Sequence, residues 1–182
     1  FKKLNWMNGE YVKGEMKSGT GEKRITELVV SYLKAKGYLD GELDPKRYEW
    51  VGKIIKAVGD RMRYISQIED YADFFFKDVQ FQEEAVREIL ARDYVPKILE
   101  GAAEKLKTVH MFEPPQIEEA LRDFVRETGM QSGEVIHPLR VALTGKKVSP
   151  PLFEIISLLG KDLTLKRLGE AGEMIKERMG YG

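Results

Sequence analysis

Apolar residues recur along most of this chain at helical spacing, in blocks that open on proline and close on glycine. Such spacing gathers them on one helix face, and the punctuation marks where each helix starts and stops. Ile25, Leu28, Val29, Tyr32 and Leu33 make the first block, over about Glu22–Lys36, with Gly37 closing it. Asp44 and Pro45 open the second, in which Tyr48, Val51, Ile55, Val58 and Met62 share a face. Pro114 and Pro115 open a later one, with Ile117, Ala120, Leu121, Phe124 and Val125 inward and Gly129 beyond its end. No alternating run of useful length appears, so the fold class is all-α.

The remaining blocks complete two small irregular helical bundles. Ile65–Phe76 reads as a shorter helix that delivers Tyr71, Phe74, Phe75 and Phe76 to the interior, because no basic residue interleaves them as in a base-stacking surface. Gln80–Arg92 and Tyr94–Thr108 read as two helices interrupted near Asp93–Pro96. A last helix, about Lys161–Met179, packs Leu163, Leu165, Leu168, Met174 and Ile175. The composition shifts near Asp78–Gln82, which sets the expected organisation: a connector over 1–20, one helical subdomain over 21–80 and a second over 81–182. Within the connector, Trp6 is expected to be a packing anchor, and Lys17–Gly21 a flexible loop.

One stretch, EVIHPLRVALTGKKVSPPLF over Glu134–Phe153, carries the densest information. Pro138 suits a first helical position, Gly145 a helix end, and Ser149 an N-cap ahead of Pro150 and Pro151. Met130–Gly133 is expected to be the loop leading in, and Lys146 and Lys147 fall in the turn, beside the negative end of a helix dipole. Arg140 is the misfit among apolar neighbours: it is either paired internally or aimed at a ligand.

Charge sharpens the partner question. The chain has 30 Lys+Arg and 30 Asp+Glu, a net charge of zero, which counts against bulk electrostatic attraction to nucleic acid. The distribution is uneven. Lys46, Arg47, Lys53, Lys56, Arg61 and Arg63 make one segment basic, and Glu69, Asp70, Asp73, Asp78, Glu83, Glu84 and Glu88 make the next acidic. A phosphate-facing surface and an ordinary solvated helix face explain this equally well. Arg61 and Arg63, near the expected end of the second helix, either complement its dipole or contact base or phosphate.

Several chemistries are excluded. Without cysteine there are no disulfides, thiol nucleophiles or cysteine-bound zinc. No apolar run is long enough to span a membrane, and no secretory signal is visible. Thr144-Gly145-Lys146 fails as a phosphate loop, since Arg140 occupies the required upstream glycine and Lys147 the Ser or Thr. His110 and His137 are too far apart for a helical metal pair, so no metal site is expected. No catalytic residues can be nominated. Phe1, rather than methionine, stands first, and the expectation is a piece of a longer protein.

The motif HPLRVALTGKKVSPPLFEII, followed by LLGK at Leu158–Lys161, resembles the C-terminal anticodon-binding region of bacterial glutamyl-tRNA synthetases. LNWMNGEYV at Leu4–Val12 resembles the segment joining the stem-contacting region of those enzymes to that domain, and RMRYISQIEDYADFFF at Arg61–Phe76 fits between the two. Three matches in order span nearly the whole chain. The resemblance implies an RNA-reading module whose catalytic half, with its HIGH and KMSKS signatures, is elsewhere. The module alone would not be an enzyme and would need no cofactor. The parent would be a cytoplasmic glutamate–tRNA ligase using ATP and Mg2+.

By the same resemblance the partner is the anticodon stem-loop of glutamate tRNA, beside the parent's own catalytic domain, with no membrane and a monomeric state. Arg140 matches the arginine of the family's PLR motif, which contacts the first anticodon bases, and Ser149, Pro150 and Leu152 fall on positions that form the first base's pocket. A planar guanidinium suits a base edge, and apolar neighbours suit an unstacked base. Arg61 matches the position that reads the third base, in the form selective for cytosine. Arg63, Lys146 and Lys147 are candidate phosphate contacts. Pro151 stands where many relatives carry glycine. The alternatives are a non-discriminating domain that serves glutamate and glutamine tRNAs, and a helical protein-interaction module.

Overall fold

A computed structural model of the chain describes residues 19–180. The Leu4–Val12 motif, Trp6 and nearly all of the 1–20 connector lie outside those residues. Among the described residues no strand forms, and the fold is all-α. They divide between Asp78 and Val79 into two compact units.

In the first unit, α1 runs Gly19–Ala35 and α2 runs Pro45–Val58. The helix therefore claims Gly19–Gly21, which the sequence placed in a loop. Ile25, Val29, Val30 and Leu33 are buried on one face of α1, joined by Thr26, whose hydroxyl donates to the Glu22 carbonyl at 2.9 Å. Leu28, expected inward, lies off that face and is 43% exposed. Gly37 closes α1 at φ 74°, where Gly37 N–H donates to Lys34 O and Tyr38 N–H to Leu33 O, the paired bonds of a Schellman end. Asp44 caps α2 by accepting from Arg47 N at 2.8 Å, and Pro45 occupies its first turn.

The end of α2 departs from expectation. The helix stops at Val58, a 3-10 turn covers Gly59–Arg61, and Met62 is extended and fully buried. The single helix expected over Ile65–Phe76 is three short pieces: a 3-10 turn Ile65–Gln67, α3 over Ile68–Ala72, and a 3-10 turn Asp73–Phe75. Side chains compete with the helical ladder there. Gln67 Oε1 accepts from Arg63 N and Tyr64 N, and Asp73 Oδ1 accepts from Phe74 N. Phe74 and Phe75 are buried as expected, while Tyr71 and Phe76 are half-buried. Trp50 meets Phe75 and Phe76 edge-on, and Arg47 lies 3.8 Å over the Trp50 ring.

In the second unit, α4 covers Glu83–Ala85 and passes into a π-helical segment, Val86–Leu90, closed by Ala91 N–H donating to Val86 O. This replaces the longer helix expected over Gln80–Arg92. Next come α5 (Val95–Thr108), α6 (Pro114–Thr128), α7 (Ser132–Thr144), α8 (Leu152–Leu159) and α9 (Lys161–Arg178). Leu99, Leu106, Ile117, Leu121, Leu139, Ile156 and Leu168 belong to one shared core. In α9 the buried face is Thr164, Arg167, Leu168, Ala171, Gly172 and Ile175; Leu163, Leu165 and Met174, expected in the core, are half-buried.

Candidate functional site

The central stretch folds as the end of α7, a tight turn and the start of α8. Helix α7 begins six residues before Pro138, at Ser132. A capping box starts it, in which Glu134 Oε2 accepts from Gln131 N at 2.9 Å. Ser132 and Gly133 are thus helical rather than loop, and Pro138 sits inside the helix. It costs one rung, toward the carbonyl of Glu134, a residue exposed to water.

At the other end, Gly145 adopts φ 73° and donates its N–H to Val141 O at 2.7 Å. Thr144 Oγ1 turns back to donate to Arg140 O at 2.7 Å. Helix α8 then starts at Leu152 with Pro151 in the N-cap position and no side-chain cap. Ser149 therefore does not cap it. Its hydroxyl is engaged with Arg140 instead.

Arg140 extends from α7 across the turn. Its Nη1 donates to Ser149 Oγ at 2.5 Å and Pro150 O at 2.9 Å, and reaches Ser149 O at 3.4 Å. Ser149 Oγ passes its own hydrogen to Pro150 O at 3.1 Å. The guanidinium is half-buried, and Ser149 and Pro150 are buried beneath it. These bonds orient the planar group, and a guanidinium offers donors but no acceptor. Arg140 is thus paired internally, to a hydroxyl and carbonyls, with its side chain still partly exposed. Leu152 is 3% exposed and belongs to the core of the second unit. Arg140, Ser149 and Pro150 are thus in contact, and Leu152 anchors the helix that follows.

The two lysines of the turn differ. Lys146 is half-buried, its N–H donating to Thr144 Oγ1 at 3.2 Å. Lys147 Nζ pairs with Glu88 Oε2 at 2.5 Å and Glu84 Oε1 at 2.9 Å. Hydrogen bonds to Glu88 and Glu84 push the Lys147 ammonium pKa up, and the bond from Lys147 holds the Glu84 carboxyl down. Its charge is already matched. Nor does Thr144-Gly145-Lys146 fit ATP phosphates, because the Gly145 N–H is spent inside α7 and the Lys146 N–H on Thr144 Oγ1.

In the first unit Arg61 ends the 3-10 turn and is exposed; Arg63, also exposed, gives its backbone N–H to Gln67. Both lie past the end of α2, Arg61 as the last residue of the 3-10 turn that directly continues it. Sequence reasoning missed the pairing of Glu84 and Glu88 with Lys147, which they precede by 59 or more positions in the chain. It also missed Arg167, whose Nη1 donates to Leu143 O at the end of α7. Among the described residues no three His, Cys, Asp or Glu side chains gather as a metal site, and no helix is long and apolar enough to cross a membrane.

Comparison with known proteins gives this geometry a context. The family model described as the anticodon binding domain matches residues 24–172. A glutamate–tRNA ligase from Moorella thermoacetica is 37% identical over 180 residues, 98% of this chain and 36% of that protein. Another from Bacillus licheniformis is 36% identical, over 91% of this chain and 33% of that protein. The chain spans about a third of the length of the curated relatives it matches. Among solved structures, a glutamate tRNA ligase from Elizabethkingia meningosepticum, in complex with its amino acid, matches with TM-score 0.80 at 22% identity. That match covers 96% of this chain and 32% of that one, and is a likeness of fold.

Proposed function

The chain belongs to the anticodon-binding domain family, and on that premise we propose that it is the tRNA-reading part of a glutamate–tRNA ligase. It grips the anticodon stem-loop of glutamate tRNA and leaves chemistry to a catalytic domain encoded elsewhere in the same protein. That domain would join glutamate to tRNA at the expense of ATP, with Mg2+, in the cytoplasm. The chain's own part is to bind and orient, and it does not react.

One observation carries the reading: the Arg140 guanidinium is fixed in plane by Ser149 and Pro150 while remaining half-buried, at the turn between α7 and α8. Anticodon bases are unpaired and splayed, and proteins read such bases with pre-oriented planar donors and apolar neighbours. A guanidinium already held by Ser149 and Pro150 loses less freedom on meeting a base than a free side chain does. Exposed Arg61 is the proposed reader of the third base. Arg63 and Lys146 are secondary phosphate contacts, and Lys147 is less suited because two carboxylates hold it.

The test is a titration of the full chain with glutamate anticodon stem-loops at fixed salt. Saturable binding that weakens in Arg140→Ala by about 1–3 kcal/mol is expected. Equal affinity of the parent and Arg140→Ala would remove Arg140 from the interface. Absence of saturable binding would favour a protein-interaction module.

A further inference from the structure

The turn that carries Ser149 and Pro150 is fastened to the beginning of the second unit's sequence. A Cβ built on Gly145 would stand 2.1 Å from the Gln80 carbonyl oxygen, so the two backbones are in close contact. Gln82 N–H donates to Gly145 O at 2.9 Å. Two residues further along, Lys147 Nζ lies between Glu84 and Glu88, at 2.9 and 2.5 Å. Those carboxylates stand one turn apart on α4 and its π-helical continuation. Backbone contacts thus hold the root of the turn, and a lysine shared by two carboxylates holds its middle, next to Val148 and Ser149.

We propose that Glu84 and Glu88 are positioning residues for anticodon recognition. Through Lys147 they keep the Lys146–Pro150 turn in the shape in which Arg140 and Ser149 receive a base. The proposal rests on the tRNA reading above and deepens it. It also reassigns Lys147, which the sequence offered as a phosphate contact. The two roles differ in sign. If Lys147 met phosphate directly, its carboxylate neighbours would repel the RNA backbone, and neutralising them would tighten binding. As a brace, the same change loosens the turn and weakens binding although negative charge has been removed.

The experiment uses the full chain, with Glu84→Gln/Glu88→Gln as a double variant. A charge-swapped triple variant, Lys147→Glu/Glu84→Lys/Glu88→Lys, accompanies it. Amide hydrogen exchange at residues 146–149 and affinity for the glutamate anticodon stem-loop at fixed salt are read for each. The double variant should exchange faster in the turn and bind about two- to fivefold more weakly, the scale of a small exposed ion-pair network. The triple variant should recover slow exchange and most of the affinity. Unchanged exchange, or binding equal to or tighter than the parent in the double variant, overturns the proposal and leaves the tRNA reading standing. A parent chain that does not bind the stem-loop overturns both.

Discussion

Arg167 Nη1 donates to the carbonyl oxygen of Leu143 at 3.0 Å. Arg167 lies on α9 and is only 8% exposed; Leu143 sits in the last turn of α7, where carbonyls have run out of helical donors. A cation at this end also meets the negative pole of the helix dipole. Helix α9 therefore closes the end of the helix from which the Arg140 turn departs.

Arg167→Met keeps much of the apolar stem but removes the donor, leaving a buried carbonyl without that bond. It should lower the unfolding free energy by about 1–3 kcal/mol in a urea titration. Arg167→Lys should recover part of the loss. A change below about 0.5 kcal/mol would mean that Leu143 O finds another donor at no cost.

Gly145 and Gly129 offer a matched comparison. Both end helices with positive φ, 73° and 68°. Beside Gly129 nothing lies within 4 Å of a built Cβ, whereas at Gly145 the Gln80 backbone is in the way. Gly129→Ala should cost only the left-handed strain, about 1–2 kcal/mol. Gly145→Ala carries the same strain and must also displace the Gln80 backbone, so its loss should exceed the other by about 2 kcal/mol. Equal midpoints of thermal unfolding would show that the 80–82 segment yields freely.

These residues show what the sequence reveals and what it hides. Gly37, Gly129 and Gly145 were legible as helix ends, because the left-handed backbone selects glycine locally. Pro45 and Pro114 were legible as helix starts for the same local reason. Pro138 misled, because its rule describes a common position and the Gln131–Glu134 capping box had already begun the helix. Leu28 and the face of α9 misled because apolar spacing admits neighbouring faces, and tertiary packing selected among them. The roles of Arg140 and Ser149 were half visible: the arginine stood out, but its bonds to Ser149 and Pro150 depend on how the turn folds back. The acidic run showed Glu84 and Glu88 but not their pairing with Lys147, and the bond of Arg167 to Leu143 was invisible, since each acts across a long stretch of chain.

The Lys147 clamp has a defined pH window. The bond and charge of Lys147 hold the Glu84 carboxyl below its ordinary value of 4.5. A carboxyl with a depressed folded pKa contributes stability above its unfolded value, and that contribution is lost as pH falls through the folded value. The ammonium of Lys147 is held above its ordinary 10.5, by Glu88 first and then Glu84. Its contribution is complete below 10.5 and is lost as pH rises through the raised value. The clamp is therefore intact throughout the neutral range. Carbon NMR titration of the Glu84 carboxyl should show an inflection below 4.5, moving upward in Lys147→Met. An inflection identical in both proteins would show that the pair is not formed in solution.

Arg61 provides the sharpest test of specificity. It stands exposed at the end of the Gly59–Arg61 turn, followed by buried Met62, which ties its backbone to the core of the first unit. Anchored there, a guanidinium can donate to acceptors on a cytosine edge while disfavouring a base of different size and donor pattern. In Arg61→Gln, the preference for a stem-loop whose third anticodon base is C over one with G should shrink by about 1–3 kcal/mol. Binding that requires only phosphate contacts should change little between the two RNAs, and the variant's salt dependence should flatten by roughly one phosphate contact at most. The measurement is a pair of titrations at two salt concentrations with stem-loops differing only at that base. If the unchanged chain binds both equally, Arg61 does not discriminate and the domain serves glutamate and glutamine tRNAs alike. If Arg61→Gln loses affinity equally for both, the arginine holds phosphate and the third base is read by another residue.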